Sequence, residues 1–317
     1  MTAGMTMGAS FGLAAQPAKV PANVPVVGVL TVELAGGEKF WRLFRDDMRK
    51  QGYIDGQTVR YEYRSDEGQL ARLPVLAAEL VRLKVDVIVT WFTPAAVAAK
   101  QATRDIPIVM AVAGDPVASG LVESLARPGG NITGMSGMAL DTAGKCVELS
   151  RDLLPQARRV AALINAQDPF SKAFLQRIEG AGKAAGIIIE PVIINAPAEL
   201  EPAFATLGKA PPDVMIVQPS LPTRRVAQLA LATRLPAIAP TRQFTEVGGL
   251  MSYSVSDVEL YRQAAGMVIK VLKGARPADL PVEQPIKFDL CLNLKTATAL
   301  GLSIPAGLLQ RADEVIE

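Results

Sequence analysis

Asp86-Val87-Ile88-Val89-Thr90-Trp91-Phe92-Thr93-Pro94-Ala95 decides the fold, because Asp213-Val214-Met215-Ile216-Val217 echoes its opening 127 residues later (213 − 86). Each run is short and apolar, as expected of a strand buried on both faces. Each leads through a turn and a helical pattern into a Pro-containing apolar run, Ile106-Pro107-Ile108 in one case and Leu235-Pro236-Ala237-Ile238 in the other. The strands that precede them, Val24 to Thr31 and Val160 to Asn165, stand 134 residues apart (160 − 26). Two offsets this close imply one half-fold used twice.

Working outward, Phe40, Phe44 and Met48 recur at helical spacing among charged residues, and Gly52 ends that helix. Val59 to Arg64 alternates like a strand near an edge, and Leu70 to Lys84 is helical, striped by Leu73, Leu76, Ala77 and Leu80. In the second half a helix around Phe170 to Ala185 stops at Gly186, and Ile187 to Ile194 is the next strand. Alternating strands and helices predict an α/β protein: two doubly wound parallel-sheet lobes with right-handed crossovers. Pro128 to Gly134 reads as a connector between the lobes, since its glycines do not run from a strand into a helix.

The chain has 317 residues, half of them hydrophobic, enough for two lobes with large cores. Thirty-three Lys and Arg against 31 acidic residues give +2, no electrostatic case for nucleic acid. No histidine is present, which removes the commonest general acid–base group and metal ligand. Cys146 and Cys291 lie far apart in no C-x-x-C spacing, so neither a metal site nor a redox dithiol is expected. One disulfide between them in an oxidising compartment is the alternative to a small buried thiol, the plainer reading of Cys146 in its amphipathic helical pattern. No cofactor is expected. Residues 1–18 carry no charged side chain and resemble the apolar region of a secretory signal peptide without its basic start.

Ligands of open α/β sheets bind beyond the carboxyl ends of the strands, and two lobes share one crevice there. The best local signal is Thr90-Trp91-Phe92-Thr93-Pro94, where a strand ends and a helix starts with Thr93 as N-cap and Pro94 at its first position. Free N–H groups and two hydroxyls suit a carboxylate, and Trp91 with Phe92 suits an apolar wall. The same residues also read as an ordinary cap with packed aromatics. In the second lobe Asn165 and Asp168 occupy the first loop, and Gln218 and Ser220 the loop equivalent to the Thr90 corner. Asp168 is a partner for a ligand amine or the cap of the next helix. Thr31 ends the first strand. Asp115 follows another, where a turn is the competing role. Tyr253 lies near the return to the first lobe.

Several ordered stretches carry a resemblance: Gly52-Tyr53-Ile54-Asp55-Gly56-Gln57, Gly68-Gln69-Leu70-Ala71-Arg72-Leu73-Pro74, Gly114-Asp115-Pro116-Val117, and Arg127-Pro128-Gly129-Gly130-Asn131-Ile132-Thr133-Gly134. Further on come Gly248-Gly249-Leu250-Met251-Ser252-Tyr253, Pro277-Ala278-Asp279-Leu280-Pro281-Val282 and Asn293-Leu294-Lys295-Thr296-Ala297. From about Val24 onward the chain resembles ABC transporter substrate-binding proteins of the tryptophan/tyrosine-binding type. The resemblance implies a type I periplasmic binding protein fold with a three-segment hinge. One lobe would hold residues 24–134 plus 255–282 and the other 135–254 plus 283–317.

It further implies an exported, periplasmic receptor, not an enzyme. Such a receptor closes around a small molecule, an amino acid or aromatic carboxylate being favoured, and meets an ABC permease as a monomer. Two other functions share the fold. An enzyme using cleft carboxylates lacks histidine and phosphate loops here. A repressor effector domain needs a helix-turn-helix before the first strand, and the residues preceding Val24 are uncharged until Lys19.

Overall fold

The computed structural model describes residues 24–32 and 36–317. The signal-like segment at 1–18 lies outside the described residues. The first lobe runs β1 (Val26–Thr31), α1 (Gly37–Lys50), β2 (Arg60–Ser65), α2 (Leu73–Arg82), β3 (Val87–Trp91), α3 (Thr93–Ala102), β4 (Ile108–Ala113) and β5 (Ile132–Ser136). The second runs α4 (Ala139–Leu153), β6 (Arg159–Asn165), α5 (Ser171–Ala185), β7 (Ile188–Ile194), α6 (Leu200–Leu207), β8 (Val214–Val217), α7 (Thr223–Ala232), β9 (Ala237–Ala239), α8 (Arg242–Glu246) and β10 (Met251–Val255). The chain then returns to the first lobe as α9 (Asp257–Leu272), which packs on α1 and β4. It finishes on the second lobe with β11 (Phe288–Asn293), α10 (Leu294–Leu300), α11 (Ala306–Gln310) and β12 (Glu314–Ile316).

The sheets have the orders β2-β1-β3-β4-β5 and β12-β11-β10-β9-β8-β6-β7. All pairings are parallel except β10 with β11, where the chain comes back from the first lobe. The continuous apolar runs follow from burial on both faces. Val27 and Val29 of β1 face the core under α1 and α9, whereas Leu30 faces the core under α2 and α3. In β6, Val160, Ala162 and Ile164 face α4 and α5, and Ala161 and Leu163 face α6 and α7. On α1, Phe40, Phe44 and Met48 are fully buried, each worth about 1.5–3 kcal/mol of transfer from water. Gly186 ends α5 with φ 66°, a left-handed cap that glycine adopts without strain.

Residues 128–134 are not simply a connector. Ile132 onward is the edge strand β5, paired with β4 from Ile108↔Ile132 to Ala113↔Ser136. Gly134 permits this. Its φ is 138°, and a Cβ there would sit 2.2 Å from the carbonyl oxygen of Met110. The return segment runs beside β5, with Glu283 N–H donating to Gly134 O and Ser136 N–H to Glu283 O. Cys146 and Cys291 are both buried free thiols.

Candidate functional site

The carboxyl ends of parallel strands from both sheets meet at one cavity of about 60 Å³. The first lobe supplies Phe92, Thr93, Val112 and Gly114, and α9 adds Asp257, Leu260 and Tyr261. The second supplies Asp168, Phe170, Ser220, Thr241, Gln243 and Ser254. The lobes stand close together around it. A Cβ on Gly114 would lie 3.0 Å from the Phe170 ring, and one on Gly36 would lie 2.4 Å from Gln243 Cγ. No Lys or Arg lines the cavity among the described residues, while two carboxylates do.

Asp168 is 5 % exposed and firmly held. Its Oδ1 accepts the Phe170 N–H at 2.9 Å, and its Oδ2 accepts Gln218 Nε2 at 2.9 Å. Ser220 is a further hydrogen-bond partner. Gln218 is itself fixed, because its Oε1 accepts the Asn165 N–H at 2.9 Å. Burial pushes the Asp168 carboxyl above the usual carboxylate range, and the hydrogen bonds from Ser220, Phe170 and Gln218 pull it back. A cation placed beside it would favour the ionised form further.

The other polar cluster joins the lobes. Gln243 Nε2 on α8 donates to Asp257 Oδ2 at 3.3 Å and to Tyr261 Oη at 3.4 Å, both on α9. Lys39 Nζ on α1 contacts Glu246 at 2.6 Å and Asp257 at 3.5 Å. Burial raises the Asp257 carboxyl to about 6 against the pull of Lys39, with Glu246 adding to the rise. Tyr261 is fully buried and its hydroxyl is pushed up by desolvation. It accepts a hydrogen bond from Trp91 Nε1 at 3.2 Å.

Of the residues singled out in the sequence, Thr93, Asp168 and Ser220 line this cavity. Asn165 lines an adjoining, wider cleft of about 480 Å³ between the lobes, where Ser220 also appears. Gln218 stands behind Asp168. Thr93 does not cap α3. Phe92 takes the cap position with φ 73° and ψ 157°, and Thr93 Oγ1 instead accepts the Gly114 N–H at 2.9 Å. The register of β3 on β4 shifts between Thr90 and Trp91, immediately before this residue. That strained backbone is the kind that clusters at ligand sites. Residues Thr93 and Ala95 still leave helix-start N–H groups without intrahelical acceptors.

The remaining candidates lie elsewhere. Trp91 is fully buried, stacked on Phe40 at 5.4 Å with a 3° interplanar angle, and Phe92 rather than Trp91 faces the cavity. Thr90 is buried within β3, and its Oγ1 has no partner among the described residues. The Thr31 hydroxyl donates to Tyr63 Oη at 2.9 Å, away from the cavity. Asp115 Oδ1 accepts the N–H groups of Val117 and Ala118, which is turn chemistry. Tyr253 stacks on Phe288 across the β10–β11 pair at 5.6 Å. Sequence reasoning missed Gln243 and Asp257. Gln243 follows β9 as Asp115 follows β4, so the duplication itself pointed to that loop. Asp257 looked like an ordinary acid in a helix first turn.

The sequence model of the family described as ABC transporter substrate binding protein matches residues 29–316. A tyrosine-binding protein of Clostridioides difficile (strain R20291) is 30% identical over 278 residues, 86% of this chain and 79% of that protein. An ABC domain from Streptococcus pneumonia, solved in complex with L-Trp, superposes with TM-score 0.85 at 28% identity, over 93% of this chain and 100% of that one. The ligand-free, open structure of a Clostridium difficile substrate binding protein with adhesive properties superposes with TM-score 0.66 at 25% identity, over 92% and 99%. With its two lobes, shared cavity and near full-length match, this chain belongs to the ABC transporter substrate binding protein family.

Proposed function

We propose that this protein is an exported receptor that captures an amino acid with an aromatic side chain and presents it to an ABC permease, without turning it over. The observation that carries the ligand class is Asp168, a buried carboxylate held by donors at the edge of a cavity that no basic side chain lines among the described residues. A ligand ammonium completes that arrangement, since a buried charge needs a partner. The ligand carboxylate goes to the start of α3, where free N–H groups and the helix dipole favour an anion. Phe92 and Phe170 wall the ring.

Binding and closure are linked. The ligand docks on one lobe, hinge rotation at the three interlobe segments brings the other over it, and water is excluded. The closed monomer is the form that the permease, in a membrane, would recognise.

Isothermal titration of the full chain tests this reading. L-Tyrosine and L-tryptophan should bind, and each at 100 times its dissociation constant should stabilise the protein by about 2.7 kcal/mol. The corresponding aromatic acids without the amino group should bind far more weakly. Equal affinity for acids with and without the amine would sink the role of Asp168, and chemical consumption of a bound ligand would overturn the receptor reading.

A further inference from the structure

The cavity has a second polar end that the capture of an amino acid by Asp168 leaves unused. Gln243 is 4 % exposed, and its Oε1 has no hydrogen-bond partner among the described residues. The amide orientation is fixed by its neighbours. Asp257 Oδ2 at 3.3 Å requires the nitrogen, so the carbonyl oxygen is the atom left over. Ser254, also 4 % exposed, has a buried Oγ without a partner among the described residues. Both residues line the cavity, beside Asp257. Two buried polar atoms left unmade at one end of a pocket call for a partner that enters with the ligand.

Their place in the sheet sets the scale. Asp168 follows β6, Gln243 follows β9, and Ser254 lies in β10, in the order β10-β9-β8-β6. Gln243 and Ser254 are thus two and three strand spacings from Asp168, about 10 and 14 Å. Val112, Phe170 and Leu260 supply apolar wall to the same cavity. An aromatic amino acid with a donor at the far side of its ring spans roughly 12 Å when one hydrogen bond is added at each end.

We propose that Gln243 and Ser254 form a specificity subsite that accepts a hydrogen bond from the far end of the ligand ring. It selects amino acids bearing a ring hydroxyl or N–H and rejects phenylalanine. This rests on the reading that the cavity takes an amino acid through Asp168. A site built to pair with a donor discriminates strongly against the analogue lacking it, because its own acceptors then stay buried and unpaired.

Titration calorimetry of the full chain with L-tyrosine, L-tryptophan and L-phenylalanine tests it. Tyrosine or tryptophan should bind at least about 100-fold more tightly than phenylalanine. Gln243→Met, which keeps length and removes both polar atoms, should collapse that ratio by about 10-fold or more while phenylalanine binding persists. Ser254→Ala should lower the ratio in the same direction and by less, and it decides the matter if Gln243→Met does not fold. Equal binding of all three amino acids by the native chain, or a ratio unchanged in the variants, overturns the subsite and leaves the receptor reading standing. Binding of none of the three overturns that reading, and the subsite with it.

Discussion

The β3–α3 and β8–α7 crossovers occupy equivalent places in the two lobes, and they are alike at one end and unlike at the other. At the end away from the cavity, Asp86 Oδ2 accepts the Val26 N–H at 2.7 Å at the start of β1, and Asp213 Oδ2 accepts the N–H groups of Arg158 and Arg159 at 2.8 and 2.9 Å at the start of β6. Ile88 N–H donates to Pro107 O, and Met215 N–H to Pro236 O, both at 2.8 Å. At the cavity end the first lobe offers a strained Phe92 and the start of α3, whereas the second offers the chain Asn165–Gln218–Asp168. The shared half-fold holds the sheets together where no ligand reaches. On the reading proposed above, the lobes divide the labour where one does: the start of α3 would meet the ligand's anion and Asp168 its cation.

That division predicts unequal losses. Asp168→Asn should weaken amino-acid binding by about 100-fold or more, in line with truncating one partner of a buried charge pair. Its amide nitrogen would also face a donor in either orientation, Gln218 Nε2 or the Phe170 N–H, because both carboxylate oxygens accept and Gln218 Oε1 already holds the Asn165 N–H. Thr93→Val in the first lobe should cost about 10-fold, since backbone N–H groups there remain. Calorimetry on both variants measures the contrast, and equal losses would erase it.

At the far ends the prediction is symmetry, with a smaller effect and no change in affinity. Asp213→Ala strands two N–H donors and should destabilise by about 1–2 kcal/mol in urea unfolding, whereas Asp86→Ala strands one at an exposed position and should cost about 0.5–1 kcal/mol. The N–H bonds from Arg158 and Arg159 hold the Asp213 carboxyl below its ordinary value. Its contribution is therefore present above the unfolded-state value and lost as pH falls through the folded one, so acid should narrow the gap between Asp213→Ala and the native chain. A change in ligand affinity from either substitution would show that these ends do reach the cavity.

The same contrast explains what the sequence disclosed. Strands such as Val26–Thr31 and Arg159–Asn165 were legible because burial on two faces leaves a continuous apolar run, and the paired Asp and Pro positions carried the duplication. Asp168 and Ser220 were legible as loop residues at strand ends. Trp91 misled because an aromatic packed under a strand end and one facing a cleft share the same local sequence. Only the backbone at Phe92, with its positive φ, separates them. Gln243 and Asp257 were hidden for another reason. They stand 14 residues apart on α8 and α9, and they meet because the chain changes lobes between them. No local spacing records a crossover.

The smallest expected effect concerns that meeting point. Asp257 belongs with the first lobe, but Gln243 and Glu246 of the second lobe help to bury it, with Lys39 at 3.5 Å and Arg242 nearby. With the lobes close together, burial raises its carboxyl to about 6; opening that exposed it to water should bring it back toward its ordinary value. A carboxyl whose value is higher in the closed form takes up a proton on closing. Its contribution to closure is fully present below the open-form value and is lost as pH rises through about 6. Acid should therefore favour the closed unliganded protein by a few-fold in population. Asp168 acts against this once ligand is present, because a protonated carboxyl no longer pairs with an ammonium. Small-angle scattering of the unliganded chain should show a smaller radius of gyration at pH 5 than at pH 7.5, while calorimetry shows weaker amino-acid binding at the lower pH. Asp257→Asn should abolish the first trend and keep the second. If the compaction persisted in that variant, the interlobe cluster would be a fixed contact and the titrating group would lie elsewhere in the hinge.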